Sequence, residues 1–355
     1  MYTPCKQRIL QGKNKNSNLS ESLHTDADLR EMQSRSLGDK VQTSIAKIME
    51  AMVRYDKKVY VSFSGGKDST VLADLVAKVC EMFNCKLVLW FSDTGLEYPE
   101  VREHVKKFAD WLREQYNIEV ELVIDYPKDK SGKRITFRDV IMTEGYPVIS
   151  KEVALKLRDA RRNPNGYSMQ SFVEGSPKNI KYPKFKLVKY KYLLDAPFEI
   201  SHKCCDIMKK KPSKQFEKER GLIPIIGTMA CESNARRTEW LKNGCNAFNN
   251  SRPMSRPLSF WVEQDILEYI KRYQLPYPTV YGEIIEDENG NLKTTGCDRT
   301  GCMFCGFGCH LEKEPNRFQK LKQTHPKVWE YCMKPISEGG LGMKDVLEFI
   351  GVKIE

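Results

Sequence analysis

Residues 58–83, "KVYVSFSGGKDSTVLADLVAKVCEMF", pass from a buried-strand pattern to a helical one with no spacer, and Gly65 and Gly66 mark the change. Val71, Leu72, Leu75, Val76, Val79 and Phe83 recur at helical spacing after the glycines. A loop that leaves a strand and opens straight into a helix gathers free backbone N–H groups and the positive end of the helix dipole at one point. It is an anion site. Gly65 and Gly66 let the backbone approach a phosphate, Lys67 adds a positive charge, and the hydroxyls of Ser62, Ser64, Ser69 and Thr70 stand within or beside the loop. The P-loop of kinases and GTPases is excluded, because it would require glycine at Val61 and a hydroxyl at Asp68.

The alternation continues. "KLVLWFS" and "IEVELVID" read as further strands, with "PEVREHVKKFADWLREQY" as the helix between them and Pro99 in its first turn. "GLIPIIGTM" supplies a fourth strand after a long insertion at 126–203, and "SFWVEQDILEYIKRY" a later helix. This order predicts an α/β, doubly wound, mostly parallel sheet of Rossmann-like type with right-handed crossovers. The expected organisation is a mobile N-terminal arm and lead-in at 1–38, a nucleotide-binding α/β domain at 39–275 carrying the insertion, and a Cys-rich, partly helical region at 276–355. Asn289-Gly290 signals a hairpin.

Apolar runs such as "LVLWF" are too short to cross a bilayer, and the first residues lack the apolar segment of a secretory signal. A cytoplasmic protein is expected. In that compartment the twelve cysteines read as thiolates for metal or catalysis rather than a disulfide framework. The net charge of +11 favours polyanionic partners such as nucleotides or nucleic acid.

The motif "SGGKDS" resembles the pyrophosphate loop of the ATP pyrophosphatases, the adenine nucleotide alpha-hydrolase fold. "DTGLEYPEV" (93–101) and "GTMACESNARR" (227–237) resemble segments of the phosphoadenylyl-sulfate (PAPS) reductase branch, although Met229 stands where that pattern has its first arginine. "PLSFWVEQDILEYI" (257–270) resembles the region that follows. The resemblance implies an adenine nucleotide, ATP or a sulfonucleotide (PAPS or APS), against Ser62, Ser64, Gly65, Gly66, Lys67, Asp68 and Ser69. It implies further contacts from Asp93, Thr94, Gly227, Arg236 and Arg237, with Lys67, Asp68 and Asp93 in catalytic roles. Asp93 would meet the adenosine directly or through Mg²⁺, and Asp68 would orient Lys67 or help place that ion.

Cys302 and Cys305 form a C-x-x-C pair, Cys204 and Cys205 are adjacent, and Cys297 precedes Cys302 by a C-x4-C step. APS reductases that carry a 4Fe-4S cluster use a Cys-Cys pair with a later C-x-x-C, so the resemblance implies such a cluster. Cys205, Cys302 and Cys305 are the favoured ligands, with the fourth from Cys204 or Cys297. A four-thiolate zinc site and ordinary thiols stay open. Cys309 and His310 would be exchangeable ligands or a free, sulfur-carrying thiol.

Two reactions use such a loop. A sulfonucleotide reductase would attack sulfur with a cysteine and release sulfite; that family's "E-C-G-[IL]-H" tail has no counterpart here, since no cysteine follows Cys332. An adenylating enzyme would cleave ATP between the α and β phosphates to activate an acceptor for sulfur transfer, as cluster-bearing relatives do on tRNA or DNA. A sulfur donor such as a cysteine desulfurase would then be needed. The insertion suits nucleic acid: Lys178, Lys181, Lys184, Lys186, Lys189 and Lys191 interleave with Tyr182, Phe185, Tyr190 and Tyr192, and "KKKPSK" follows at 209–214. The alternation in "KFKLVKYKY" equally fits a solvated strand of an amphipathic hairpin. A nucleotide- and cluster-binding regulator without turnover is the third reading.

Overall fold

The computed structural model describes residues 22–355; most of the arm expected at the N-terminus, including Cys5, lies outside the described residues. Among the described residues there are ten strands: β1 (Val59–Ser62), β2 (Leu87–Ser92), β3 (Val120–Asp125), β4 (Val148–Ile149), β5 (Ile223–Ile225), β6 (Asn246–Ala247), β7 (Met254–Ser255), β8 (Ile284–Glu286), β9 (Leu292–Thr294) and β10 (Gly306–Phe307). The helices of the first half are α1 (Asp26–Ser34), α2 (Leu37–Arg54), α3 (Lys67–Met82), α4 (Pro99–Gln115), α5 (Phe137–Glu144), α6 (Lys151–Arg162), α7 (Tyr167–Gln170) and α8 (Pro177–Lys181). Those of the second half are α9 (Lys211–Arg220), α10 (Asn234–Asn243), α11 (Glu263–Tyr273), α12 (Arg317–Thr324), α13 (Pro326–Met333) and α14 (Met343–Phe349). No helix among the described residues is long and apolar enough to cross a membrane.

The central sheet runs β3-β2-β1-β5-β7-β6, parallel throughout except for the β6–β7 pair. The fold is therefore the expected doubly wound α/β type. Because β2 and β3 lie on one side of β1 and β5 on the other, the strand order reverses at β1. Ligands bind at such a switch point, outside the carboxyl ends of the strands, and there the loop 63–66 leaves β1.

Burial explains the runs of apolar residues. All but the last residues of β1 and β2 are buried, as expected of strands covered on both faces. Helices α2, α3, α4 and α11 pack around one core that includes Ile48, Val61, Leu72, Leu75, Leu89, Phe108, Phe260 and Trp261. Lys40 of α2 is 2% exposed and donates to both carboxylate oxygens of Asp265 at 2.8 Å, locking α2 to the start of α11. The lead-in also folds: Thr25 caps α1, and His24 donates its backbone N–H to the Leu241 carbonyl while its ring packs tilted against Trp240.

A second core joins the insertion to the C-terminal helices, through Phe137, Val148, Leu157, Phe172 and Ile200 on one side and Phe304, Phe318, Cys332, Met343 and Leu347 on the other. Within it β4 pairs with β10 in parallel, and Tyr146 bridges Ile200. Gly306 is needed at this pairing, since a Cβ there would stand 2.8 Å from the Val148 side chain and 2.9 Å from the Pro147 carbonyl.

The stretch 183–195 corrects the expectation of an exposed strand: it forms tight 3-10 turns, Pro183–Phe185 and Val188–Asp195. In such turns side chains step around an axis instead of alternating between two faces. Leu187 and Leu193 therefore turn into the second core while the intervening lysines stay exposed. Lys178 departs from the other insertion lysines: it is buried against the Tyr167 ring, and burial lowers its pKa.

Candidate functional site

Helix α3 starts from Gly66 with no side-chain cap, so its first-turn N–H groups are left for a ligand or a neighbour. Gly65 has a φ of +72°, and a Cβ there would lie 2.7 Å from Val105 and 2.8 Å from Val101 of α4. Only glycine lets the loop turn this tightly against α4. Ser64 and Ser69 share a hydroxyl–hydroxyl bond of 3.1 Å, and Ser69 also donates to the Gly66 carbonyl at 2.9 Å. Gly227 follows β5; a Cβ on it would meet the Asp68 carbonyl at 3.3 Å, so glycine lets the two segments touch.

Lys67 is 3% exposed. Its Nζ donates to the Asp298 carbonyl at 2.8 Å and lies 3.2 Å from Glu263 and 3.9 Å from Asp68. Burial works against its charge, but Asp68, Tyr281 and Glu263 outweigh that and hold its pKa above the ordinary lysine value. The ammonium is thus kept charged inside the protein. Asp68 Oδ1 is buried and makes no hydrogen bond; it has only the long ion pair to Lys67 at 3.9 Å. Such an oxygen suits a hard cation accompanying phosphate.

The loop is closed by a segment the sequence did not single out. The backbone N–H of Lys67 donates to the Tyr281 hydroxyl at 3.2 Å, and that hydroxyl shares a 2.8 Å bond with Thr300. Both oxygens lie 3.1 Å from where a Gly66 Cβ would be. Two neutral hydroxyls therefore stand in the mouth of the anion nest. Burial raises the Tyr281 pKa, so its hydroxyl stays protonated.

Asp93, after β2, is 8% exposed and already paired: Oδ2 accepts from Arg102 at 2.7 Å and lies 3.3 Å from Arg134, while Oδ1 accepts from the Gly95 N–H at 3.2 Å. It does not cap α4, which Tyr98 precedes. Thr94 is buried and donates its hydroxyl to Glu97 at 2.7 Å, which shapes the turn. Arg236 pairs with Glu232, and its pKa is lowered by burial and then by nearby Arg299, with Asp68 opposing. Arg237 pairs instead with Asp26 of α1, a partner outside the loop. His104, beneath the loop, shares a 3.0 Å bond with Thr70, and burial holds its pKa down at about 4.

The β4–β10 pairing and the Tyr146–Ile200 bridge bring the two cysteine pairs together. Cys305 precedes β10 and Cys204 follows the bridge by four residues. Cys204, buried and 6% exposed, has its pKa raised by burial and by Cys205, Cys302 and Cys305. Cys302 is pushed up to about 11 by burial, with Lys209 opposing. The Lys209 side chain is half-exposed and lies 3.8 Å from Glu97; desolvation opposes its charge, but Cys302 and Glu97 outweigh that and raise its pKa. A π-helical turn, Asp206–Lys210, follows the Cys-Cys pair and carries Lys209 into this position.

Cys297 stands differently. Its thiol hydrogen-bonds Tyr98, and its nearest charges are Lys320, Asp298 and Glu100. Cys309 is buried and donates to the Gly306 carbonyl at 3.0 Å. The four thiols of 204, 205, 302 and 305 have the donor chemistry of a cluster or zinc site. As folded, however, no group of three or more His, Cys, Asp or Glu among the described residues is arranged to hold a metal ion.

The sequence singled out Lys67, Asp68, Asp93 and both cysteine pairs as candidates, and Lys209 only within the basic run 209–214, but not Tyr281, Thr300, Glu263, Arg102 or Arg134. Tyr281 and Glu263 reach Lys67 across long stretches of chain, whereas Arg102 stands only nine residues from Asp93. The one visible signal was the proline-bounded "LPYPTVYG", which marks an irregular segment without saying what it covers.

A curated relative, an uncharacterized protein of Methanocaldococcus jannaschii, is 23% identical over 292 residues, 81% of this chain and 43% of that protein. The chain thus spans less than half the length of that relative. Among solved structures, NMN synthetase from Francisella tularensis aligns with TM-score 0.33 and 15% identity, over 71% of this chain and 76% of its own. The U34-tRNA thiolase NcsA from Methanococcus maripaludis, with its [4Fe-4S] cluster, aligns with TM-score 0.36 and 15% identity, over 90% and 83%. The model of the phosphoadenosine phosphosulfate reductase domain matches residues 58–163 and 165–306, and the chain belongs to that family.

Proposed function

We propose that this chain is an ATP pyrophosphatase-type enzyme that adenylates an acceptor for sulfur transfer, with tRNA or the DNA backbone as the acceptor class. The observation that carries the reading is the uncapped start of α3 at Gly66, with Lys67 buried and charged beside it and Asp68 Oδ1 enclosed without a hydrogen bond. Phosphate oxygens would take the first-turn N–H groups, displacing the Tyr281 hydroxyl, and Lys67 would exchange Glu263 and the Asp298 carbonyl for phosphate. Mg²⁺, held by Asp68 and the nucleotide, supplies charge neutralisation when bound.

An acceptor oxygen would form a bond to the α phosphorus as the bond to the bridging oxygen breaks and pyrophosphate leaves with the electron pair. A sulfur nucleophile would then displace AMP. Preorganised N–H groups and Lys67 stabilise the charge that develops on the phosphates, usually the largest contribution to such a step. Asp93, with Arg102 and Arg134, would orient the nucleoside. In this reading the cysteines at 204, 205, 302 and 305 hold a 4Fe-4S cluster, or zinc in its place, and Cys297 does not. Such a cluster supplies redox-active, sulfur-binding iron when bound.

The acceptor proposal rests on the insertion, where Lys181, Lys184, Lys186, Lys189 and Lys191 are exposed beside the accessible rings of Tyr167, Tyr182 and Tyr192. The donor would be a persulfide carrier such as a cysteine desulfurase, with a second thiol breaking the S–S bond to the carrier after transfer by forming a disulfide with it, and the setting the cytoplasm. A sulfonucleotide reductase is the second reading, favoured by the family match itself; Cys231, half-buried and within charge range of Arg236, would be its candidate thiol. Pyrophosphate release from ATP with tRNA or DNA, run beside a sulfite assay with PAPS and APS, separates the two. Sulfite without pyrophosphate would replace the first reading by the second, and neither product would leave a binding protein without turnover. Metal analysis with visible absorption of an anaerobic preparation tests the cluster, and zinc alone would overturn it.

A further inference from the structure

At the far end of α3 from the phosphate loop, the helix closes with a reverse turn whose two paired positions are both cysteine. The Cys85 N–H donates to the Cys80 carbonyl at 2.9 Å, and the Asn84 N–H donates to the Glu81 carbonyl at 3.1 Å. Asn84 takes the left-handed conformation, φ +45°, that this turn requires. The pattern is a Schellman motif, in which the residue three back from the helix end and the second one beyond it face each other, normally through an apolar contact. Here the two facing positions are Cys80 and Cys85. Cys80 is 1% exposed and also reaches the Lys86 carbonyl at 3.8 Å, whereas Cys85 is partly exposed. Lys57 caps the same helix end, donating to the Phe83 carbonyl at 3.0 Å.

From this geometry we infer that Cys80 and Cys85 are a redox-active dithiol, separate from the clustered cysteines, that exchanges with disulfide compounds to form an intramolecular disulfide. Cys85 is the attacking thiol because it is the accessible one and its charge is supported. The Cys80 thiol, and then the Lys57 ammonium, lower its pKa to about 7. The neighbouring Cys85 and then burial raise that of Cys80, which makes this enclosed thiol the resolving partner.

The exchange balances with a small disulfide as oxidant. The Cys85 thiolate attacks one sulfur of glutathione disulfide, a Cys85–glutathione bond forms, and one glutathione thiolate leaves and takes up a proton. Cys80 then gives up its proton and attacks the Cys85 sulfur, which releases the second glutathione. The protein loses two electrons and two protons, and the reagent gains them. The helix is 16 residues long, which at about 1.5 Å per residue places this chemistry roughly 24 Å from the phosphate loop. It is therefore independent of the adenylation reading.

Trypsin isolates the pair in a single peptide, residues 79–86, "VCEMFNCK", which holds no other cysteine. The full chain is incubated with glutathione disulfide, denatured, alkylated, digested and analysed by mass spectrometry. The expected peptide is lighter by two hydrogens and unalkylated, and its formation rate rises to half-maximum near pH 7. In Cys80→Ser, glutathione should accumulate on Cys85; in Cys85→Ser, Cys80 should remain alkylatable. A wild-type peptide carrying two alkyl groups after long incubation, or two stable glutathione adducts, overturns the inference.

Discussion

The Tyr281 hydroxyl accepts the backbone N–H of Lys67 at 3.2 Å, across 214 residues of chain. A phenol thus stands where the first phosphate oxygen of a nucleotide would bind. Replacing it should free that donor for the ligand. A neutral hydrogen bond contributes about 1 kcal/mol net, or roughly fivefold in affinity. Tyr281→Phe is therefore expected to bind ATP several-fold more tightly in calorimetric titration. Weaker binding would mean that the hydroxyl contacts the nucleotide instead of yielding to it.

Lys67 holds a buried positive charge among Asp68, Glu263 and the Asp298 carbonyl. Lys67→Met removes the charge while keeping much of the side-chain length. Pyrophosphate release should fall by about 10²–10³-fold, the scale seen when one preorganised group is lost from a charged transition state. Near-wild-type turnover would remove Lys67 from the chemistry.

Gly65 and Gly132 both have positive φ, +72° and +87°, but only Gly65 has neighbours where a Cβ would go. Gly132→Ala should cost only the backbone penalty, about 1 kcal/mol. Gly65→Ala adds the clash with Val101 and Val105 and should lose about 2–4 kcal/mol in urea unfolding. Equal losses at the two sites would show that the α4 contact is unimportant.

His104 gives a pH dependence. Its folded pKa is depressed to about 4 by burial, against about 6.5 in an unfolded chain. Its contribution is therefore complete above pH 6.5 and is lost as pH falls from there through 4, because the unfolded state takes up the proton first. The full difference is about 3 kcal/mol. His104→Phe should flatten the fall of melting temperature across this window; an unchanged slope would assign the fall to carboxylates.

Cys297 and Cys302 differ in their surroundings, the first bonded to Tyr98 and the second beside Lys209 and Cys305. Iron content per chain should drop sharply in Cys302→Ser and stay near wild type in Cys297→Ser. The opposite ranking would exchange their roles.

What was legible in the sequence were the features that neighbouring residues decide. Gly65-Gly66 between a strand run and a helical run fixes the anion loop, because the turn needs positive φ and the helix start leaves its N–H groups free. The apolar runs of β1 and β2 point to a sheet covered on both faces, and the cysteine spacing singled out two pairs. Periodicity failed at 183–195, where lysine–aromatic alternation suggested a strand but Leu187 and Leu193 drew the chain into tight turns against the second core.

Contacts between distant segments were decided only by the tertiary structure. The β4–β10 pairing, which Gly306 permits, sets Cys302 and Cys305 beside Cys204 and Cys205 and leaves Cys297 with Tyr98. Tyr281 reaches Lys67, and Arg134 reaches Asp93, because burying the apolar faces of several helices on one sheet leaves few places for the loops that join them. Local sequence specifies turns and faces; which side chains meet follows from how those faces pack.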